Sequence, residues 1–312
     1  MPPSRRWFDY HSKEESLDIT RRFSSVTAGI ICGIGASLCW ATGFAGARHG
    51  LNAGFSPADL TFHRFFWFGL VMLPFVLRAS IGDLYGVGWG RGIVLAVLGG
   101  PVFAIISYAG FLLVPLGHGG IIQPSCAMLG GILLAAFLLG EKLPVARSIG
   151  ALIIICGLTL IGVEAVTAIG VQGVAGDLIF VLTGLMFATF GALLRLWRVA
   201  PIPAAAVISV LSLLTVPAFW AMGGFNHMIA LGWRENLLQA VLQGALMGIG
   251  AIYLYVRSIT LLGAGRAAVF AALVPPFVLL IGWLALGEAP SVLQLIGLTI
   301  ILLGFWLAQR AA

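Results

Sequence analysis

Residues 138–144 read LLGEKLP and residues 285–290 read ALGEAP. Charged residues make up only 9% of the 312-residue chain, yet the same Leu-Gly-Glu closes two apolar runs. Glu288 follows Glu141 by 147 positions, and the same offset pairs Gly140 with Gly287, Gly150 with Gly297 and Gly157 with Gly304. Further back it pairs Tyr108 with Tyr255 and Arg48 with Arg195.

The composition says what kind of chain carries this repeat. Hydrophobic residues reach 60% and mean hydropathy is +1.07. A soluble domain is roughly 45–50% apolar and about 25% charged, so a soluble fold would have almost no polar surface here. The chain reads as an all-α polytopic membrane protein. The net charge of +6 does not indicate nucleic acid, because the basic residues are scattered singly between apolar runs. Cys32, Cys39, Cys126 and Cys156 lie inside apolar runs without metal-ligand spacing and read as free thiols. No metal or other cofactor is expected.

A spanning helix needs roughly 20 mainly apolar residues. Ten segments qualify: about 25–48, 58–79, 91–113, 118–140, 146–164, 174–196, 203–223, 237–259, 265–287 and 291–309. The first is too long for a signal-peptide core and reads as an uncleaved span. Residues 1–24 form a polar tail, and 224–236 is the only connection with room for an interfacial element.

Basic residues set the orientation. With the amino terminus in the cytoplasm, only Arg48, Arg64 and Arg234 of the 17 Lys and Arg residues fall at or near outer ends. Both termini are then cytoplasmic. The offset of 147 maps spans one to five (25–164) onto six to ten (174–309). Five is odd, so the second repeat enters from the opposite side, an arrangement found in secondary transporters. Leu-Gly-Glu would mark one structural corner twice. The Gly allows a tight helix exit, and the charge of Glu141 or Glu288 suits the start of the following helix.

Few residues inside the spans could carry chemistry. Pro101, Pro124, Pro217 and Pro275-Pro276 each remove a backbone donor. Pro124 and Pro275 are the candidate hinges or cavity positions. Gln123, Gln239 and Gln243 need partners or a wet cavity at membrane depth, and Gln123 and Gln243 are expected to line one. Trp40, Trp67, Tyr108, Tyr253 and Tyr255 add aromatic surface with a polar handle; Trp40, Tyr108 and Tyr253 join the candidate cavity. His63 and Arg64 lie about one and a half turns into the second span, either in a functional site or snorkelling outward. Every carboxylate falls in a tail, a loop or a helix end, and His49 and His118 are isolated at helix ends without Cys or acid partners for a metal. Facilitated movement, not carboxylate-based proton exchange, is therefore expected. GxSxG, HExxH and P-loop motifs are absent, which argues against an enzyme.

These residues resemble the drug/metabolite transporter superfamily, in its subgroup with two EamA-type repeats. ASLCWATGFAGARHG with Trp40, FHRFFWFG with Arg64, and GAGRAAVFAALVPPFVLLIGWLALGE with Pro275 are similar to that family's spans one, two and nine. The family's proline in span four would fall at Met128, whereas this chain has Pro124. The likeness is strongest to bacterial YddG-type exporters of aromatic amino acids. It implies an alternating-access exporter of aromatic or hydrophobic amino acids and related amphiphiles in the bacterial inner membrane. Its partners would be an amino acid-like substrate and lipid, not nucleic acid. The alternative is export of drugs or another small metabolite with proton coupling.

Overall fold

The computed structural model describes residues 5–79, 82–140, 144–263, 266–267 and 269–310, with side chains for all of these except 5–24, 79, 139 and 310. Glu141 therefore lies outside the described residues, and so do the side chains of the 1–24 tail. Among the described residues, ten helices are long and apolar enough to cross a membrane. We number them α1 (Ser25–Asn52), α2 (Pro57–Arg78), α3 (Trp89–Gly110), α4 (Leu116–Leu138), α5 (Val145–Ile169), α6 (Val171–Trp197), α7 (Pro201–Ala221), α8 (Trp233–Leu262), α9 (Val269–Leu286) and α10 (Val292–Gln309). The 224–236 connection holds a short helix, Gly224–Ala230.

The repeat signal becomes visible geometry where α5 meets α10. A Cβ built on Gly150 would lie 2.5 Å from the Gly304 carbonyl oxygen, and one on Gly157 would lie 2.7 Å from that of Gly297. Gly150 corresponds to Gly297, and Gly157 to Gly304. Each glycine thus touches the counterpart of the other, the contact pattern of a two-fold axis. Small residues let these backbones touch, as membrane helix interfaces require.

The corner glycines behave alike at both ends. Gly140 (φ 66°) and Gly287 (φ 71°) are left-handed, and both end their helices through their own N–H groups, bonded to the carbonyls of Ala135 and Gly282. A β-branched residue there is costly, so Gly287→Val should destabilise the protein by about 1–2 kcal/mol. A lowered thermal unfolding midpoint in detergent checks this. Glu288 departs from expectation. The next helix, α10, is capped by Ser291, whose Oγ accepts from the Gln294 N–H at 3.0 Å. Glu288 instead reaches across to the start of α4, where its Oε2 accepts the Leu116 N–H at 2.7 Å.

Several spans are irregular. Helix α3 breaks at Gly100 before Pro101, and α7 narrows to a 3-10 turn at Leu213–Thr215 ahead of Pro217. Helix α8 widens to a π-helix over Ala240–Gly250. Helix α9 opens with a 3-10 turn, Val269–Leu273, because Pro275 and Pro276 cannot donate to the turn before them. The 147 offset carries Pro101 to Gly248, inside the π segment, and Pro124 to Ala271, inside the 3-10 turn. Helix α4 itself runs from Leu116 to Leu139 without interruption at Pro124. Irregular backbone at membrane depth is tolerated where protein or a wet cavity satisfies it; here the Ser37 hydroxyl donates to the Phe270 carbonyl at 2.6 Å.

Candidate functional site

Two neighbouring glutamines interlock α8 with α1. Gln239 Nε2 donates to the Gly46 carbonyl at 3.0 Å, and Gln243 Nε2 to the Gly43 carbonyl at 2.8 Å. The approach needs glycine in α1: Cβ atoms at Gly43 and Gly46 would collide with Met247 and Leu242. Gln243 lies in the π-helical part of α8 and Gln239 just before it, and each is 0% exposed. Such π segments recur at functional sites.

From Gln243 a chain of donors runs to Arg64. The fully buried Tyr108 donates its hydroxyl proton to Gln243 Oε1 at 2.8 Å. Arg64 Nη1 donates to the Tyr108 oxygen at 3.3 Å. The guanidinium lies 5.5, 5.6 and 6.0 Å from the ring centres of Phe65, Phe103 and Tyr108. It is half-buried and makes no ion pair among the described residues. Arg64 therefore does not snorkel. It presents an uncompensated positive charge inside an aromatic frame, ~10 Å along α2 by helical rise. Helices α1, α2 and α3 of one repeat and α8 of the other meet at this cluster.

The other sequence candidates divide. Gln123, 5% exposed, accepts the Ser107 hydroxyl at 3.0 Å beside Tyr108. Trp40 lies a turn from Gly43 along α1 and packs against Tyr255 at 5.3 Å. Tyr253 is a correction: it is 63% exposed, about 200° around α8 from the buried Ala251, and points away from the cluster. Its neighbour Tyr255 takes the inward position. His63 is 2% exposed and does not snorkel either. Its Nε2 meets Asn236 Oδ1 at 3.2 Å, while Trp67 Nε1 donates to its Nδ1 at 3.3 Å. That pairing assigns the neutral Nε2–H tautomer. Pro275, buried in the first turn of the α-helical part of α9, sits at the helix break.

The sequence reading missed a second cluster. The four histidines with described side chains, His49, His63, His118 and His227, all occupy the end of the bundle where α1 finishes and α4 begins. His118 sits beside two carboxylates. It is 0% exposed, with Nδ1 2.9 Å from Asp177 Oδ1 and Nε2 3.9 Å from Glu164 Oε2. His49 pairs with Glu235 at 3.0 Å and His227 with Asp59 at 2.8 Å. Arg48 Nε pairs with Glu288 Oε1 at 2.7 Å. All of these contacts except His118–Glu164, which lies within the first repeat, join the first repeat to the second. Asp177, 8% exposed and in the second turn of α6, also corrects the view that every carboxylate sits in a tail, loop or helix end. Ionisable groups placed just inside spans were the available signal. Nothing local said that residues 118 and 177 meet.

A ten-span bundle of two repeats, with a polar and aromatic cluster buried between them, defines a membrane transporter of small molecules. The EamA-like transporter family matches residues 27–163 and again 174–309. The chain therefore belongs to that family, within the drug/metabolite transporter superfamily. A solved structure, described only as the crystal structure of a protein, is similar over 92% of this chain and 98% of its own, at 22% identity and a TM-score of 0.58. That likeness supports the fold. No curated protein matches the sequence.

Proposed function

We propose that the protein is an alternating-access carrier that exports aromatic and other hydrophobic amino acids, and related small amphiphiles, down their gradients. The observation that carries this reading is Arg64, an unpaired guanidinium framed by Phe65, Phe103 and Tyr108. A substrate carboxylate matches its forked donors, and an aromatic side chain matches the rings around it. Gln243 has both ends committed, so it positions Tyr108. Gln123 stands beside it through Ser107, and the breaks at Pro101 and Pro275 supply the hinges. A cationic drug or polyamine would be repelled by the same guanidinium. The scarcity of Lys and Arg at the histidine end makes that end external, with both termini in the cytoplasm of a bacterial inner membrane.

The test uses purified protein in liposomes loaded with tryptophan, phenylalanine, methionine and a polyamine. Saturable release of the three amino acids without an imposed ion gradient is expected. Release of the polyamine alone would overturn the reading.

A further inference from the structure

We propose that His118, held between Asp177 and Glu164, is a proton-binding site whose occupancy by a proton from the outside locks the outer ends of the two repeats together. "Outer" rests on the orientation proposed above; the chemistry of the site does not rest on any substrate.

With Asp177 Oδ1 accepting at Nδ1, the neutral ring carries its proton there and presents the bare Nε2 toward Glu164 Oε2 at 3.9 Å. Nε2 is buried and makes no hydrogen bond among the described residues. A lone pair thus faces a carboxylate oxygen. Adding one proton to Nε2 turns that opposition into attraction, and no bond breaks. The imidazolium then bridges α6 of the second repeat to α5 of the first, with α4 between them. Glu164 is also tied across the repeats, since the Ser291 hydroxyl donates to its Oε2 at 2.9 Å. Its side chain is 13% exposed and lines a cavity of about 130 Å³ with Glu288, Ser291 and Gln294. That cavity gives a proton an approach past Glu164 to Nε2.

The surrounding charges leave the site to these three groups. At this end, the helices packed on α4 contribute Asp177 from α6, Glu164 from α5, and Arg48 and His49 from α1; Glu288 follows α9. Arg48 and Glu288 satisfy each other at 2.7 Å, and His49 is committed to Glu235. Cys126, two turns further along α4, is the remaining titratable side chain on His118's own helix. Imidazole is the side chain suited to change charge between about pH 5 and 8. The sign follows: acid outside loads Nε2 and closes the outer end, and alkali outside empties it and frees the end to open.

The experiment reads shape instead of flux. Spin labels are placed at the exposed positions Asn52 and Val171, one per repeat, in a background with the four native cysteines replaced. Distance distributions in lipid nanodiscs are measured from pH 8.5 to 5.5. The expected result is a shorter, narrower distribution at acid pH, a response lost in His118→Gln and weakened in Glu164→Gln, which keeps the ring intact. An unchanged distribution across this range would overturn the proposal. So would a wild-type response in His118→Gln, or a response abolished by His49→Gln or His227→Gln but not by Glu164→Gln. Liposome release of tryptophan is measured alongside. Its failure with a normal pH response would count against the substrate, not against the proton site.

Discussion

Arg64→Gln is expected to reduce tryptophan release at least about 30-fold, while tryptamine, a cation that lacks the carboxylate and is repelled by the guanidinium, is released no more slowly by the variant and gains from the lost repulsion. Removing one partner of a desolvated, hydrogen-bonded charge pair costs about 2–5 kcal/mol, and 2 kcal/mol is roughly a 30-fold loss of affinity. The paired substrates separate recognition from packing. Arg64 also covers the faces of Phe65, Phe103 and Tyr108, so its removal disturbs the frame for any substrate. Only loss of the carboxylate contact penalises tryptophan selectively. Arg64→Lys should fall between, since it keeps the charge but not the forked donors. Equal release of tryptophan by wild type and Arg64→Gln would remove Arg64 from substrate binding.

The second large effect is structural and sits far from that cluster. Gly157→Leu should lower the thermal unfolding midpoint by roughly 5 °C or more, from an overpacking cost of about 1–3 kcal/mol. A Cβ at 157 would lie 2.7 Å from the Gly297 oxygen and 3.1 Å from the Ile301 nitrogen. Backbone atoms cannot rotate aside, so α5 and α10 must separate along their contact. The two-fold pattern predicts the same outcome at Gly304, whose Cβ would lie 2.7 Å from the Gly150 oxygen. Gly162 in the same helix is the control, with nothing within 4 Å of its added Cβ. Gly162→Ala should leave stability unchanged or raise it by about 0.5–1 kcal/mol, the ordinary helix preference for alanine over glycine. A glycine-independent interface would treat 157 and 162 alike.

Both ends of this contrast bear on how the sequence can be read. Gly157 and Gly162 are indistinguishable locally: each is a glycine in an apolar helix. The 147-residue offset marked Gly157 because its counterpart serves the same contact. It said nothing about which carbonyl each glycine meets. Tyr253 and Tyr255 repeat the lesson. Two residues apart in one helix, they face roughly opposite ways, and the one without a repeat counterpart is the one turned outward.

The sequence by itself determined the membrane class, ten spans close to those observed, and the duplication behind them. These follow from hydrocarbon thickness, from the number of apolar residues needed to cross it, and from an offset kept over many positions. It also singled out Arg64, Tyr108, Gln123 and Gln243, because a polar group at membrane depth must find a partner. Only the tertiary structure decided which partner each one took. Gln243 closes on Tyr108 and Gly43 and leaves Arg64 without an ion pair among the described residues. Glu288 caps α4 instead of α10. His118, with no acid nearby in sequence, lies between Asp177 and Glu164. These pairings join residues 46 to 200 positions apart. Such contacts depend on how whole helices pack, and no local spacing encodes that.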